Sequence, residues 1–175
     1  MAVNIEVKAR VRDTDRLRRT VEELSDTPRT VIHQEDTFFH TPRGRLKLRV
    51  LAPNSGELIY YQRADSSGPK PSNYLIAATN DPDSLKALLV SCLGVRGVVR
   101  KQRLLYHVGN TRIHLDEVEG LGAFVELEVV LGPGQSEEEG QAVADELMAK
   151  LGIEESDLIE GAYIDLLEHN DRSAY

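Results

Sequence analysis

Four stretches of this chain alternate, residue by residue, between aliphatic and charged side chains. In Asn4-Ile5-Glu6-Val7-Lys8-Ala9-Arg10-Val11-Arg12, the residues Ile5, Val7, Ala9 and Val11 share one side. Glu6, Lys8, Arg10 and Arg12 share the other, because successive side chains of a strand point to opposite faces. The pattern returns at Arg45–Val50, at Arg112–Asp116 and at Val125–Val129. The charged faces also segregate by sign, with Lys47 and Arg49 on one strand and Glu126 and Glu128 on another. Two ladders of opposite charge suit a site that holds a polyanion together with a divalent metal.

Strands are expected at about 3–12, 30–40, 44–51, 57–64, 73–79, 96–108, 111–117 and 123–131, in two similar halves. Turn signals at Thr41–Gly44, Pro53–Gly56 and Gly109-Asn110 separate neighbouring strands. The stretch Asp65–Ser72 reads as a mobile loop. A first helix starts at the Asp13-Thr14-Asp15 cap cluster, carries Leu17, Val21 and Leu24, and ends near Ser25. A second follows Asp81-Pro82-Asp83, carries Leu85, Leu88, Leu89 and Cys92, and stops at Gly94. Two more are expected at about 136–151 and 157–168. Amphipathic helices need an apolar surface to cover, and the strands offer one only on the Ile5/Leu48/Leu127 side. The fold class is therefore α+β, with the charged strand face left over. Periodicity alone leaves two arrangements open: a flat sheet with that face in bulk water, or a sheet curled until it lines a channel.

The chain of 175 residues is expected to form one domain, 1–175, and the 29% charged residues speak for a soluble one. A net charge of −8 and a pI near 5.2 argue against nucleic acid or an anionic membrane as partner. Bases nonetheless concentrate at 8–12, 43–49 and 96–103, and acids at 116–128 and 137–146, which fits a small anionic ligand in a confined place. No apolar run approaches the roughly 20 residues needed to span a bilayer, and an immediate entry into a strand leaves no room for a signal peptide. A cytoplasmic monomer or homodimer is the expectation. The single cysteine, Cys92, excludes an intramolecular disulfide and is expected in the core.

Asn4-Ile5-Glu6-Val7-Lys8 resembles the signature E-x-E-x-K that opens the CYTH, or triphosphate tunnel, superfamily of class IV adenylyl cyclases and thiamine triphosphatases. The likeness continues through Asp36-Thr37-Phe38-Phe39, Gly44–Arg49, Lys101-Gln102-Arg103 and Leu115–Val118, and closes with Leu121–Glu128. The resemblance, nearest to the CyaB-like branch, implies a closed eight-stranded antiparallel β-barrel with helices packed outside. It also implies a lumen where strand-borne bases bind a triphosphate and acids hold Mg2+ or Mn2+.

By position, the resemblance makes Glu6, Glu126 and Glu128 metal ligands, with Asp116 a ligand or an orienting acid. Lys8, Lys47, Arg49, Lys101 and Arg103 would hold phosphate oxygens, with Lys8, Arg49, Arg103 and Glu126 at the reacting centre. Either Arg63 or Gln62 would add to the substrate site. Arg10, Arg12, Arg43 and Lys70 are expected as solvated surface charges, although Lys70 on its loop could close over the mouth. The five histidines lack metal-ligand spacing, but His114 shares a strand face with Asp116, and the sequence leaves open whether it reaches the lumen. Asn4 stands where the signature has its first glutamate, so the site lacks one carboxylate and two-metal catalysis is in question. Three functions follow as expectations: a metal-dependent phosphohydrolase of a small tri- or polyphosphate, a class IV adenylyl cyclase, and a binding module without turnover.

Overall fold

The computed structural model describes residues 2–173. Its strands are β1 (Ala2–Arg10), β2 (Thr30–Phe39), β3 (Arg45–Ala52), β4 (Ser55–Arg63), β5 (Lys70–Thr79), β6 (Val95–Val108), β7 (Thr111–Val118) and β8 (Gly122–Val130). They close into a barrel in the order β1-β5-β4-β3-β2-β6-β7-β8, and every neighbouring pair is antiparallel. The helices are α1 (Thr14–Leu24), α2 (Pro82–Leu93), α3 (Glu137–Leu151) and α4 (Tyr163–Ser173), with a 3-10 turn at Glu155–Asp157. Of the two arrangements that periodicity permits, the closed one is present.

Local chemistry fixes the helix starts. The Asp13 carboxylate accepts from the Arg16 amide, and Asp81 caps α2 through Ser84 with Pro82 in the first turn. Ser136 and Glu139 bond reciprocally at the start of α3.

The apolar core lies outside the barrel wall. Val7, Ala9, Ile113, Leu115, Val125 and Leu127 project outward from β1, β7 and β8 and meet Leu17 and Val21 of α1 and Leu147 and Leu151 of α3. A smaller cluster joins Phe39 and Leu48 to Leu89 of α2. Each fully buried aliphatic side chain contributes on the order of 1.5–3 kcal/mol, so the cohesion of the fold comes from this outer layer. α3 lies so close to β1 that a Cβ at Gly140 would stand 2.7 Å from Ile5 Cγ1 and 2.5 Å from Leu131 Cδ2.

Three expectations are corrected. The last helix starts at Tyr163, not near 157. Residues before it run across the end of the barrel, where the Ile159 amide donates to the Lys8 carbonyl and Leu158 bridges to Ala9. Gly161, at φ 75°, then turns the chain into α4. β5 begins at Lys70, so Lys70–Ser72 belong to the wall and pair with β1 and β4, while the connecting loop is confined to 64–69. Cys92 is exposed, because α2 packs through Pro82, Leu85 and Leu89 and its last turn carries the thiol past that contact.

Gly140→Val is expected to lower stability by about 1–3 kcal/mol, as overpacking does. Urea unfolding followed by circular dichroism measures it, and an unchanged midpoint would contradict the close approach of α3 to β1.

Candidate functional site

With the aliphatic strand faces turned outward, the charged faces turn into the lumen, an elongated cavity of about 280 Å3. Its walls carry Lys8, Lys47, Arg49, Arg63, Lys101, Arg103 and Arg112 against Glu6, Asp36, Glu57, Glu126 and Glu128. In the ring of strands, β8 and β1 stand across from β3 and β2. The carboxylates of β1 and β8 therefore face the bases of β3, and the two ladders become opposite walls of one cavity. A larger open groove of about 970 Å3 runs past the β3–β4 and β7–β8 turns. There Arg100 is already bound to Glu35, and no comparable convergence of charge occurs.

The basic wall is organised by one acid. Asp36, 1% exposed, accepts from Lys47 Nζ at 2.9 Å, from Arg49 Nε and Nη2 at 2.9 Å each, and from Lys101 Nζ at 3.3 Å. Three cations converge on one anion, which leaves positive charge unmatched. Burial, with the neighbouring charges of Arg103, Lys47 and Arg49, pushes the Lys101 ammonium down to about 7, against the pull of Asp36. A polyanion placed beside it would favour its charged form.

The acidic wall runs along β1 and β8, where Glu6 pairs in register with Glu128 and Lys8 with Glu126. Burial and the nearby Glu128 and Glu126 push the Glu6 carboxyl up to about 7, although Arg63 binds it at 2.9 Å. The Asn4 Oδ1 is buried without a hydrogen-bond partner. One ligand atom from each of His114, Glu126 and Glu128 lies within 4.8 Å of the others. Crowded carboxylates with an unsatisfied acceptor beside them fit a divalent cation such as Mg2+ or Mn2+, which prefers oxygen donors and relieves their repulsion.

Asp116 serves differently. Arg103 donates to both of its oxygens at 2.7 Å, and the Tyr163 hydroxyl donates to Oδ2 at 2.7 Å. Burial opposes the charge, but the Arg103 guanidinium wins and holds Asp116 at about 2. Asp116 thus orients Arg103, whose Nη2 also reaches Glu126 at 3.1 Å. Lys8 sits 3.9 Å from Glu126 and lies 3.8 Å above the Tyr163 ring.

One end of the lumen is stopped. Phe38, Val99, Val118 and Phe124 pack there with Ile159, Ala162, Tyr163 and Ile164. Gly97 admits this plug, since a Cβ at that position would collide with Ile164 Cδ1. Arg63 donates to the Gly161 carbonyl at 2.6 Å, and Arg96 binds Asp165 and Glu168. Toward the other end the lining is Ile32, Glu57, Tyr74, Ile76, Leu105 and Arg112, with Ile76 51% exposed.

Every residue expected at the site except Asp116 lines this cavity, and Asp116 is buried directly behind it. Register resolves the open pair: Arg63 faces in, whereas Gln62 is exposed. His114 reaches the lumen. Arg10, Arg12 and Arg43 are exposed as expected. Lys70 departs from expectation: it is 4% exposed, stands opposite Glu6 in the ladder and donates to the Ser66 carbonyl. The reason is the early start of β5, which carries Lys70 into the wall. Asp36, Arg112 and Tyr163 went unassigned in sequence. Strand alternation with Phe38 and His114 places the first two, but nothing local marks Tyr163, which arrives through the path of the chain after β8.

A closed antiparallel barrel with a charged interior and an apolar exterior defines the triphosphate-tunnel class of fold. Residues 2–163 match the family model of the CYTH domain, and the chain belongs to that family. It is similar to the PH1012 protein of Pyrococcus horikoshii OT3 at 28% identity and a TM-score of 0.83, over 93% of this chain and 98% of that one. A candidate adenylate cyclase from Vibrio parahaemolyticus shares the fold at 20% identity and a TM-score of 0.75, over 95% and 98% of the two chains. HpAC1 of Hippeastrum, a candidate adenylyl cyclase with a dominant triphosphatase activity, shares it at 19% identity and 0.60, over 86% and 88%. No curated protein matches significantly.

Because Lys101 is depressed to about 7, a bound polyanion should raise it and draw in a proton. At pH 8, tripolyphosphate binding is expected to take up as much as about one proton more in the native protein than in Lys101→Met. Calorimetry in buffers of different ionisation enthalpy measures this. Equal proton counts would contradict a basic wall poised for an anion.

Proposed function

We propose that the lumen binds the phosphate chain of a small tri- or polyphosphate together with a divalent cation and hydrolyses its terminal phosphoanhydride. The observation that carries this reading is the unmatched positive charge around Asp36, directly across the cavity from the carboxylates of β1 and β8. A triphosphate carries about four negative charges and needs both guanidinium forks and a metal to lie in so small a space.

In this reading Lys47, Arg49 and Lys101 hold phosphate oxygens, and Arg103, locked by Asp116, offsets charge on the transferring phosphoryl group. Lys8, on β1 beside Glu126, can offset charge developing on the bridging oxygen. Glu126 and Glu128 hold the cation with Glu6 beside them, and Asn4 offers a neutral oxygen where a further carboxylate would favour a second ion. When bound, Mg2+ or Mn2+ supplies Lewis-acid charge neutralisation at the phosphate oxygens. A carboxylate of that row orients a water for in-line attack on the terminal phosphorus and takes up the proton it loses. The P–O bond to the bridging oxygen breaks, and orthophosphate leaves with the shortened chain. The plug at Tyr163 makes this a one-mouthed site, so substrate and products share an entrance.

A second reading rests on the mouth. Ile32, Tyr74, Ile76 and Leu105 form an apolar rim that accepts an organic group, which favours a nucleoside or other organic triphosphate and keeps the cyclase reaction in play. A third, binding without turnover, rests on Asn4. Among the described residues no helix is long and apolar enough to cross a membrane.

With ATP or inorganic tripolyphosphate and Mg2+ or Mn2+, the expected product is orthophosphate, and Arg49→Ala or Glu128→Gln should slow its release by about 100-fold or more. Cyclic AMP with pyrophosphate would transfer the assignment to the cyclase. Tight binding without any product would leave the binding module.

A further inference from the structure

His114, on β7, stands beside the charges of the acidic wall. It stands opposite Glu126 in the β7–β8 ladder, is 4% exposed, and its Nδ1 is buried without a hydrogen-bond partner. Nδ1 lies 4.0 Å from Glu126 Oε2, and Nε2 lies 4.0 Å from Glu128 Oε2. A hydrogen bond would have closed such gaps to about 2.7–3.2 Å. An ion taken by one of the two nitrogens would draw that nitrogen and both carboxylate oxygens closer together, since metal–nitrogen and metal–oxygen bonds of about 2.0–2.2 Å set neighbouring ligands about 3 Å apart. His114, Glu126 and Glu128 are also the trio whose ligand atoms all fall within 4.8 Å.

We infer that His114 is a nitrogen ligand of the lumen cation, forming with Glu126 and Glu128 a mixed nitrogen–oxygen site selective for Mn2+, Co2+ or Zn2+ over Mg2+. This rests on the reading of the carboxylate row as a cation site, but not on turnover. Imidazole is a good donor to first-row transition ions, whereas Mg2+ demands oxygen and keeps its water. Asn4 acts in the same direction. It replaces a charged oxygen donor, on which a hard ion depends most, with a neutral one. The wall thus has fewer anionic oxygens than its signature implies and one nitrogen more.

The test uses the untagged full chain, stripped of metal and without substrate. Mn2+ is titrated in and followed by electron paramagnetic resonance, and pulsed measurements on the bound ion look for coupling to 14N. Co2+ and Mg2+ affinities are then compared between the native protein and His114→Gln. The inference expects 14N coupling in the native protein and its loss in the variant. It also expects Co2+ affinity to fall by about 10-fold or more, with Mg2+ affinity changed by less than about 3-fold.

Bound Mn2+ without 14N coupling in the native protein, a spectrum that needs no variant, overturns the assignment of His114 alone. Coupling that persists in His114→Gln does the same. Failure of the native protein to bind Mn2+ overturns this inference and the cation-site reading together. Nitrogen coupling in a protein that hydrolyses no triphosphate upholds the inference while removing the hydrolase.

Discussion

The structure depends on keeping a crowd of charges out of bulk water. Moving an ion into a low-dielectric interior costs several kcal/mol even after relaxation, and a pair repays this only with good geometry. The lumen meets that condition nearly everywhere: Asp36 gathers three bases, Asp116 locks Arg103, Glu128 takes Arg112, and Arg63 takes Glu6. Cohesion is supplied elsewhere, by the aliphatic layer between the barrel wall and its helices. The usual arrangement of a small barrel, with apolar side chains filling the inside, is inverted. An apolar exterior frees the interior to be organised for a ligand.

What the internal pairing leaves unbalanced then sets the chemistry. On the side of β2, β3 and β6 the bases outnumber the acid that holds them, and burial together with those bases brings Lys101 down to about 7. On the side of β1 and β8 the carboxylates crowd one another, and burial together with Glu128 and Glu126 brings Glu6 up to about 7. In the proposed reading, both imbalances would be relieved by one pair of guests, an anion with several oxygens and a cation between it and the acids. Closure of the ring supplies the rest, because it places β8 and β1 across from β3 and β2.

Much of this was legible from alternation. The period of two identified which side chains of β1, β3, β7 and β8 share a face, and the helices needed the aliphatic one, so the charged residues had only one place left. Whether that face closed around a cavity was not legible, since a flat and a curled sheet share the same periodicity; the resemblance to the CYTH signatures supplied closure. The errors arose where tertiary contacts overrode local signals. Gly68 and Pro69 made 65–72 read as a loop, yet pairing with Glu6 and Arg63 draws Lys70 and Ser72 into β5. The apolar spacing of Leu158 and Tyr163 read as one helix, yet bonding of residues 158 and 159 to the end of β1 holds that segment extended. Tyr163, meeting both Asp116 and Lys8, was hidden because its role comes from where the chain is led after β8.

The central claim is that opposite walls of one cavity divide the binding of a phosphate chain and its cation. Anomalous diffraction from crystals grown with Mn2+ and tripolyphosphate tests it most directly. The account predicts one manganese peak against Glu126 and Glu128, with phosphate density reaching from that ion to Lys47, Arg49 and Lys101. Manganese or phosphate bound outside the barrel, with the lumen filled only by water, would contradict it.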